Sequence, residues 1–109
     1  MRPSRTSLRY PELYSGLVPL HVLYHACEGR IFGFEMIQEL QRHGYTLSAG
    51  TMYPLLHGME QKGLLRSFER RDGGRNRRFY RATPVGRKAL ADAKLRVREL
   101  FAELFESER

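Results

Sequence analysis

The sequence predicts a mainly α-helical protein with one small β-hairpin. Three observations predict this class: apolar residues recur at helical spacing in four segments, a Gly-Gly pair separates two short aromatic segments, and 109 residues suffice for one domain. Apolar residues make up 41% of the chain and charged residues 28%, without a low-complexity tract. This composition is typical of a globular chain and argues against intrinsic disorder.

The first elements are an arm and two short helices. Residues 1–11 are polar and basic and contain two prolines, which predicts a flexible N-terminal arm. The first helix ends near Gly29, and its apolar stripe is Leu17, Leu20, Leu23, Tyr24 and Cys27. The second opens at Gly33 and stops at His43 and Gly44, with the stripe Phe34, Ile37 and Leu40.

A third helix is predicted between Ser48, as its N-cap, and Gly63. Its apolar stripe has the spacing i, i+3, i+4, i+7 and consists of Met52, Leu55, Leu56 and Met59. Pro54 counts against so early a start, because proline cannot donate to the helical hydrogen-bond ladder.

A hairpin and a long helix complete the chain. Residues 64–70 and 77–83 are short aromatic segments, and residues 71–76 between them have an Asp-Gly-Gly centre. We therefore predict a two-stranded hairpin with a basic loop. Thr83 as cap and Pro84 in the first position open a last helix that runs to about Glu106.

Two short helices joined by a tight turn and followed by a hairpin form a winged helix-turn-helix. We expect residues 12–83 to be a DNA-binding domain whose third helix enters the major groove, a space about 12 Å wide. The expected recognition-helix contacts are Ser48, Ala49, Gly50, Thr51, Tyr53, Pro54 and His57. For Ser48, capping the helix is at least as well supported as contact with DNA.

The net charge of +7 is concentrated in one stretch of the chain. Residues 62–81 carry +6, and seven of their eight cations are arginines, whose planar fork suits phosphate groups. The expected contacts of this wing with DNA are Arg70, Arg71, Arg75, Asn76, Arg77 and Arg78. The competing interpretation is a solvated basic surface.

The last helix carries a stripe at heptad spacing, widened by two phenylalanines at its far end. A helix of this length, about 33 Å, is longer than one side of so small a domain. The apolar residues at its far end therefore need another surface to pack against. We predict residues 84–109 as a dimerisation helix; packing against the chain's own first helix is the alternative. The predicted dimer contacts are Leu90, Ala93, Val97, Leu100, Phe101, Leu104 and Phe105.

Several function classes lack support in the sequence. No nucleophile elbow, Walker loop or zinc-protease motif occurs, so we expect neither an enzyme nor a resident cofactor. Cys27 stands alone, which excludes an intramolecular disulfide framework. His21 and His25 have a metal-compatible spacing but match no established zinc motif, and a surface or dimer role is favoured. No apolar run approaches a membrane span or a signal core, so we expect a cytoplasmic protein.

Four segments of the sequence resemble the PadR family of bacterial and archaeal transcriptional regulators. They are residues 33–40 (GFEMIQEL), 47–57 (LSAGTMYPLLH), 60–65 (EQKGLL) and 78–86 (RFYRATPVG). The departures are mild: Ala49 stands where Pro is common, Phe34 and Phe79 where Tyr is common, and Ala82 where Leu is common. None of them affects the expected fold.

The resemblance implies a homodimer in which the last helix packs with the partner's first helix, and a pseudo-palindromic double-stranded DNA operator. It also implies a repressor, in many members released by a small aromatic or drug-like effector. Short relatives commonly place a Trp on the last helix at the ligand pocket; this chain has no Trp, and Phe101 or Phe105 could substitute. Two alternatives stay open: a protein-binding winged-helix adaptor, and a sensor whose main role is small-molecule binding at the dimer interface.

Overall fold

The structure is a computed structural model that describes residues 10–106. Its elements are a 3-10 turn Pro11–Leu13, α1 Leu17–Glu28, α2 Gly33–Arg42, α3 Ala49–Gln61, β1 Leu65–Asp72, β2 Arg75–Ala82 and α4 Pro84–Glu106. The predicted fold class is confirmed. Most of the predicted N-terminal arm lies outside the described residues. No helix in the described range has the length and apolar character needed to cross a membrane.

The core is one cluster to which α1, α2, α3 and the hairpin all contribute. It consists of Val22, Leu23, Ala26, Ile31, Met36, Leu40, Met52, Leu56, Met59, Leu65, Tyr80 and Ala82. The predicted stripe of α3 is confirmed, except that Leu55 is only partly buried. The sequence alone therefore located the buried side of α3, the element that bears most directly on function.

The predicted stripes of α1 and α2 are partly wrong. Leu17 and Tyr24 are exposed, because the core face of α1 is centred on Val22, Leu23 and Ala26, roughly one residue further round the helix. Phe34 is 57% exposed. Leu40 of the predicted stripe is buried and Ile37 is half-buried, but the core face of α2 is centred on Gly33, Met36 and Leu40, the i, i+3 and i+7 positions of one helical face.

Pro54 lies inside α3, so the expectation that it opposes an early helix start is wrong. Its missing N–H removes only the bond to the carbonyl four residues earlier, at Gly50. Both residues lie on the exposed side of the helix, where water can satisfy that carbonyl. The ladder on the buried side continues unbroken.

The hairpin is longer than predicted, and its loop is shorter. Gly73 and Gly74 form a two-residue turn, with φ angles of +62° and +84°. Such a turn matches the twist of paired strands, so pairing continues up to Asp72 opposite Arg75. The prediction of a basic loop over residues 71–76 is therefore wrong. Charged side chains did not prevent pairing there, because the ladder is made by backbone groups.

α4 begins at a cap that also ties it to the hairpin. Thr83 Oγ1 accepts a hydrogen bond from the Gly86 N–H at 2.9 Å and donates to the Gly63 carbonyl. A Cβ atom on Gly86 would lie 2.1 Å from the Leu64 carbonyl oxygen, so only glycine permits this approach. The first half of α4 packs along α1, whereas most side chains of the second half are exposed.

Candidate nucleic-acid interface

The exposed side of α3 contains all the residues predicted to read DNA. Ser48, Ala49, Gly50, Thr51, Tyr53, Pro54 and His57 are exposed, whereas Met52, Leu56 and Met59 on the opposite side are buried. The core holds the buried side, so the exposed side has a fixed orientation relative to the rest of the domain. None of these seven residues carries a carboxylate, so this face does not repel the negatively charged backbone of nucleic acid.

The N-terminus of α3 carries two exposed hydroxyl groups. Ser48 occupies the N-cap position, but its side chain makes no capping hydrogen bond, so the expected capping role of this hydroxyl is wrong. Instead, Ser48 Oγ donates to Thr51 Oγ1 at 3.4 Å. Both hydroxyls stand at the end of the helix where the backbone dipole favours negative groups. This arrangement suits contact with a phosphate or a base edge.

Tyr53 also joins α3 to α2. A Cβ atom on Gly33 would lie 2.3 Å from Tyr53 Cε1, so the tyrosine ring rests directly on the glycine backbone. The remainder of the ring is open, and Tyr53 is 47% exposed. One side chain therefore both positions the two helices of the motif and contributes to the exposed face.

The hairpin has two faces, which the strand register separates. Residues opposite one another in the ladder share a face. We call inner the face that bears Ser67, Glu69, Arg71, Asn76, Arg78 and Tyr80. We call outer the face that bears Arg66, Phe68, Arg70, Asp72, Arg75, Arg77, Phe79 and Arg81, together with the side chains of Arg30 and Phe32 from the α1–α2 connection.

The inner face is joined to the end of α3. Glu60 Oε2 accepts hydrogen bonds from the Ser67 hydroxyl at 2.7 Å and from the Ser67 N–H at 3.2 Å. Arg78 donates to Ser67 Oγ at 3.1 Å and pairs with Glu69 at 3.3 Å. These bonds fix the angle between the hairpin and α3, and they partly neutralise Arg78, one of the predicted wing contacts.

The remaining predicted wing residues differ in how freely they project. Arg77 is held within the hairpin: its Nε lies 3.2 Å from Asp72 Oδ2, and its guanidinium carbon lies 4.2 Å from the Phe32 ring centroid. Arg71 donates to the Gly74 carbonyl at 3.4 Å and steadies the turn. Arg70, Arg75 and Asn76 are exposed. The structure therefore leaves Arg70, Arg71, Arg75 and Asn76 as the projecting members of the predicted set.

Sequence reasoning missed three cations on the outer face, Arg30, Arg66 and Arg81. Arg66 and Arg81 lie within the predicted segments 64–70 and 77–83, so strand alternation would have placed them on the same face as Arg70 and Arg77. Arg30 is remote in sequence. It reaches the hairpin because Ile31 pairs with Tyr80, the Ile31 N–H donating to the Tyr80 carbonyl at 2.9 Å.

A histidine cluster joins α1 to the end of α2. Glu39 lies 3.7 Å from His25 and 3.2 Å from His43, and the His21 ring stacks on His43 with centroids 4.6 Å apart. Burial, and then the neighbouring histidines, lower the pKa of His21. Within residues 10–106, no group of three or more His, Cys, Asp or Glu side chains is arranged to hold a metal ion. The cluster brings His21 and His25 of α1 beside Glu39 and His43 at the end of α2.

The far half of α4 exposes a continuous apolar stripe. Five of its predicted dimer residues are 48–61% exposed, namely Val97, Leu100, Phe101, Leu104 and Phe105. The other two, Leu90 and Ala93, are partly buried and lie near α1. Packing on α1 therefore covers only the near end of the predicted stripe.

Helices α2 and α3, the turn between them and the hairpin that follows define a winged helix-turn-helix DNA-binding protein. The Transcriptional regulator PadR-like family matches residues 22–92. The chain therefore belongs to the PadR family of transcriptional regulators, which are DNA-binding regulators and not enzymes.

Individual relatives agree with this assignment. Transcriptional regulator Rv3488 of Mycobacterium tuberculosis is 47% identical over 93 residues, which cover 85% of this chain and 87% of that protein. A PadR family transcriptional regulator from Eggerthella lenta has a similar crystal structure, with a TM-score of 0.75, 28% identity and coverage of 90% of this chain and 87% of that chain. A PadR-like regulator from Bacillus cereus shares the fold, with a TM-score of 0.82 at 23% identity, over 90% of this chain and 97% of that one.

Proposed function

We propose that the protein is a homodimeric repressor that binds a pseudo-palindromic operator. In this proposal α3 of each copy enters the major groove, and the hairpin tip, the end of the hairpin around Gly73 and Gly74, lies against the backbone or minor groove. The observation that carries the proposal is the exposed face of α3, fixed relative to a basic hairpin by the bonds between Glu60 and Ser67. Bound at a promoter, such a dimer would exclude the transcription machinery.

The apolar stripe of α4 supports the dimer. A stripe with two phenylalanines in water is an aggregation liability unless a partner covers it. A second copy of the chain offers the same stripe and the exposed residues Leu17 and Tyr24 of α1, so two copies can cover one another symmetrically. In a two-fold dimer the two α3 helices would face DNA together, which suits half-sites one helical turn apart.

Selection of bound duplexes from a randomised pool, followed by fluorescence anisotropy over a salt series, tests the proposal. Thr51→Ala should weaken binding to the selected operator about tenfold and leave non-specific binding unchanged, because it removes a hydroxyl at the base edges. Arg75→Ala should weaken binding to all sequences and lower the salt slope by about 0.9 for each phosphate that is no longer neutralised. Lys88→Ala, which removes an exposed cation on α4, is the control.

Two results would contradict the proposal. An unchanged salt slope for Arg75→Ala would remove the hairpin tip from the interface. Failure to select any duplex at low salt would favour a protein-binding adaptor instead.

We also infer that a small aromatic effector binds at the dimer interface. A groove of about 650 Å³ between α1 and α4 supports this, with a mainly apolar lining that includes Tyr24, Val97 and Phe101. Phe105 packs on Phe101 with centroids 4.6 Å apart. In a thermal-shift screen of aromatic compounds with and without operator, an effector should stabilise the free protein more than the DNA-bound protein. Equal shifts in both states would show binding without regulation.

A further inference from the structure

The outer face of the hairpin contains a second basic surface, distinct from α3 and the hairpin tip. A depression of about 520 Å³ near its base is lined by Arg30, Arg66, Phe68, Arg70 and Arg81, together with Ser67, whose hydroxyl bonds to Glu60 on the inner face. Of these arginines, only Arg70 belongs to the proposed operator contacts. Arg30, Arg66 and Arg81 thus have no role in the function proposed above.

Aromatic rings hold several of these guanidinium groups in place. The guanidinium carbon of Arg30 lies 4.2 Å from the Phe79 ring centroid, and those of Arg70 and Arg81 lie 5.2 and 6.0 Å from the Phe68 centroid. The two rings stack on each other with centroids 5.9 Å apart. A guanidinium that lies over a ring keeps the N–H donors at its edge free and loses less side-chain entropy when it binds a ligand.

The charged side chains that line this depression are all cationic, although Arg30 also borders a second depression, which contains Glu28, Glu35 and Glu39. The lining holds four arginines and no carboxylate. Among the ion pairs formed within residues 10–106, none includes Arg30, Arg66 or Arg81; the nearest acid on the outer face, Asp72, pairs with Arg77. Clustered guanidinium groups without acidic partners are complementary to phosphate oxygens, which accept bidentate hydrogen bonds from arginine.

The depression extends along the strand from Arg70, three residues before Gly73, to Arg66 near the base of the hairpin. Arg66 precedes Gly73 by seven residues, which at the usual rise of a strand is about 24 Å. Arg70 and then Arg75 continue the row of cations on the same face toward the turn. The inner face is the one joined to α3, so this row leads from the hairpin tip along the side of the sheet that faces away from α3.

We propose that the depression binds the phosphodiester backbone of DNA outside the operator half-site, so that flanking duplex bends along the arginine row of the outer face. The proposal rests on the DNA-binding function proposed above. Continuity with the hairpin tip favours DNA over a free phosphorylated molecule, since a duplex held at the tip places further phosphates beside the same row.

The test compares two duplexes, one limited to the selected operator and one extended on each side by about two helical turns, roughly 20 base pairs. The wild-type protein should bind the extended duplex more tightly and with a steeper salt dependence. Arg66→Gln/Arg81→Gln should lose this advantage, with the slope falling by about 0.9 for each phosphate released, while its affinity for the short duplex stays within about twofold. Retained affinity for the short duplex also shows that the variant is folded. Lys88→Gln/Arg96→Gln, which removes two exposed cations from α4, should keep the advantage of the extended duplex.

Three results would overturn the proposal. Equal wild-type affinities for the two duplexes would show that flanking DNA is not bound. An equal loss on both duplexes would place Arg66 and Arg81 in the operator interface itself or indicate a folding defect. Saturable binding of inorganic tripolyphosphate that the double variant abolishes, without any effect of flank length, would assign the depression to a small phosphorylated ligand. If no duplex is selected at all, the DNA-binding function fails first and this proposal with it.

Discussion

Gly33 and Gly86 lie at two close contacts between elements, and the atoms they face differ in freedom to move. An added methyl at Gly33 would meet the outer ring atoms of Tyr53, a half-exposed side chain that can swing aside. At Gly86 it would meet the Leu64 carbonyl oxygen, which is fixed at the start of the hairpin. A glycine is therefore more strictly required at Gly86 than at Gly33.

We predict that Gly86→Ala lowers the free energy of unfolding by about 3 kcal/mol and Gly33→Ala by about 1 kcal/mol, since overpacking costs most where the neighbour is backbone. Urea denaturation measures both. Gly33→Ala should nevertheless weaken operator binding several-fold, because the displaced Tyr53 ring lies on the exposed face of α3. Equal stability losses for the two variants would contradict this account.

His21 makes stability depend on pH. Its pKa is lowered from 6.5, first by burial and then by His43 and His25. The unfolded chain therefore binds more protons than the folded one as pH falls through 6.5 toward the lower folded pKa, so the free energy of unfolding should fall over that interval. His21→Phe keeps a ring against His43 and cannot take up the proton. Urea denaturation at several pH values from 5.5 to 7.5 should show a shallower pH dependence for the variant, and identical profiles would refute the assignment.

Among the elements, α4 depends on Thr83 for both its start and its attachment. The Thr83 hydroxyl accepts from Gly86 N–H at 2.9 Å and donates to the Gly63 carbonyl. We predict that Thr83→Ala lowers the free energy of unfolding by about 0.5–2 kcal/mol, the range for removal of an N-cap. Thr83→Ser keeps the hydroxyl and is the matched control; it should recover most of the loss in urea denaturation with an unchanged m value. An equal loss for Ser and Ala would assign the effect to the methyl group.

The accuracy of the sequence predictions differed between elements for physical reasons. Both ends of α2 and the start of α4 followed from Gly33, His43, Thr83 and Pro84, since helix termini depend on local capping and backbone preferences. The strands were predicted too short, because four polar residues around a Gly-Gly pair are typical of a loop. Arg30 on the outer face could not be predicted, as its position depends on the pairing of Ile31 with a strand some fifty residues away.

At the scale of the whole molecule, α4 gives the chain an elongated shape. The longest dimension is 54 Å, against 32 and 20 Å for the others, although the core occupies only the winged domain and the near end of α4. The far half of α4 contributes no core residue in the described range. Its apolar stripe is therefore the surface on which the stability of a dimer would depend.

We predict that the melting temperature of the wild-type protein rises with protein concentration, because dimerisation stabilises the folded chain by mass action. Leu100 is 53% exposed in the single chain, so Leu100→Glu should not disturb the core. It should remove the concentration dependence by placing a charge in the interface, and shift the mass measured by sedimentation to that of one chain. It should also weaken operator binding far more than binding to a single half-site.

Arg96→Glu introduces the same side chain at an 85% exposed position on α4 and is expected to remain dimeric. A monomeric wild-type protein at micromolar concentration would assign the stripe to a different partner.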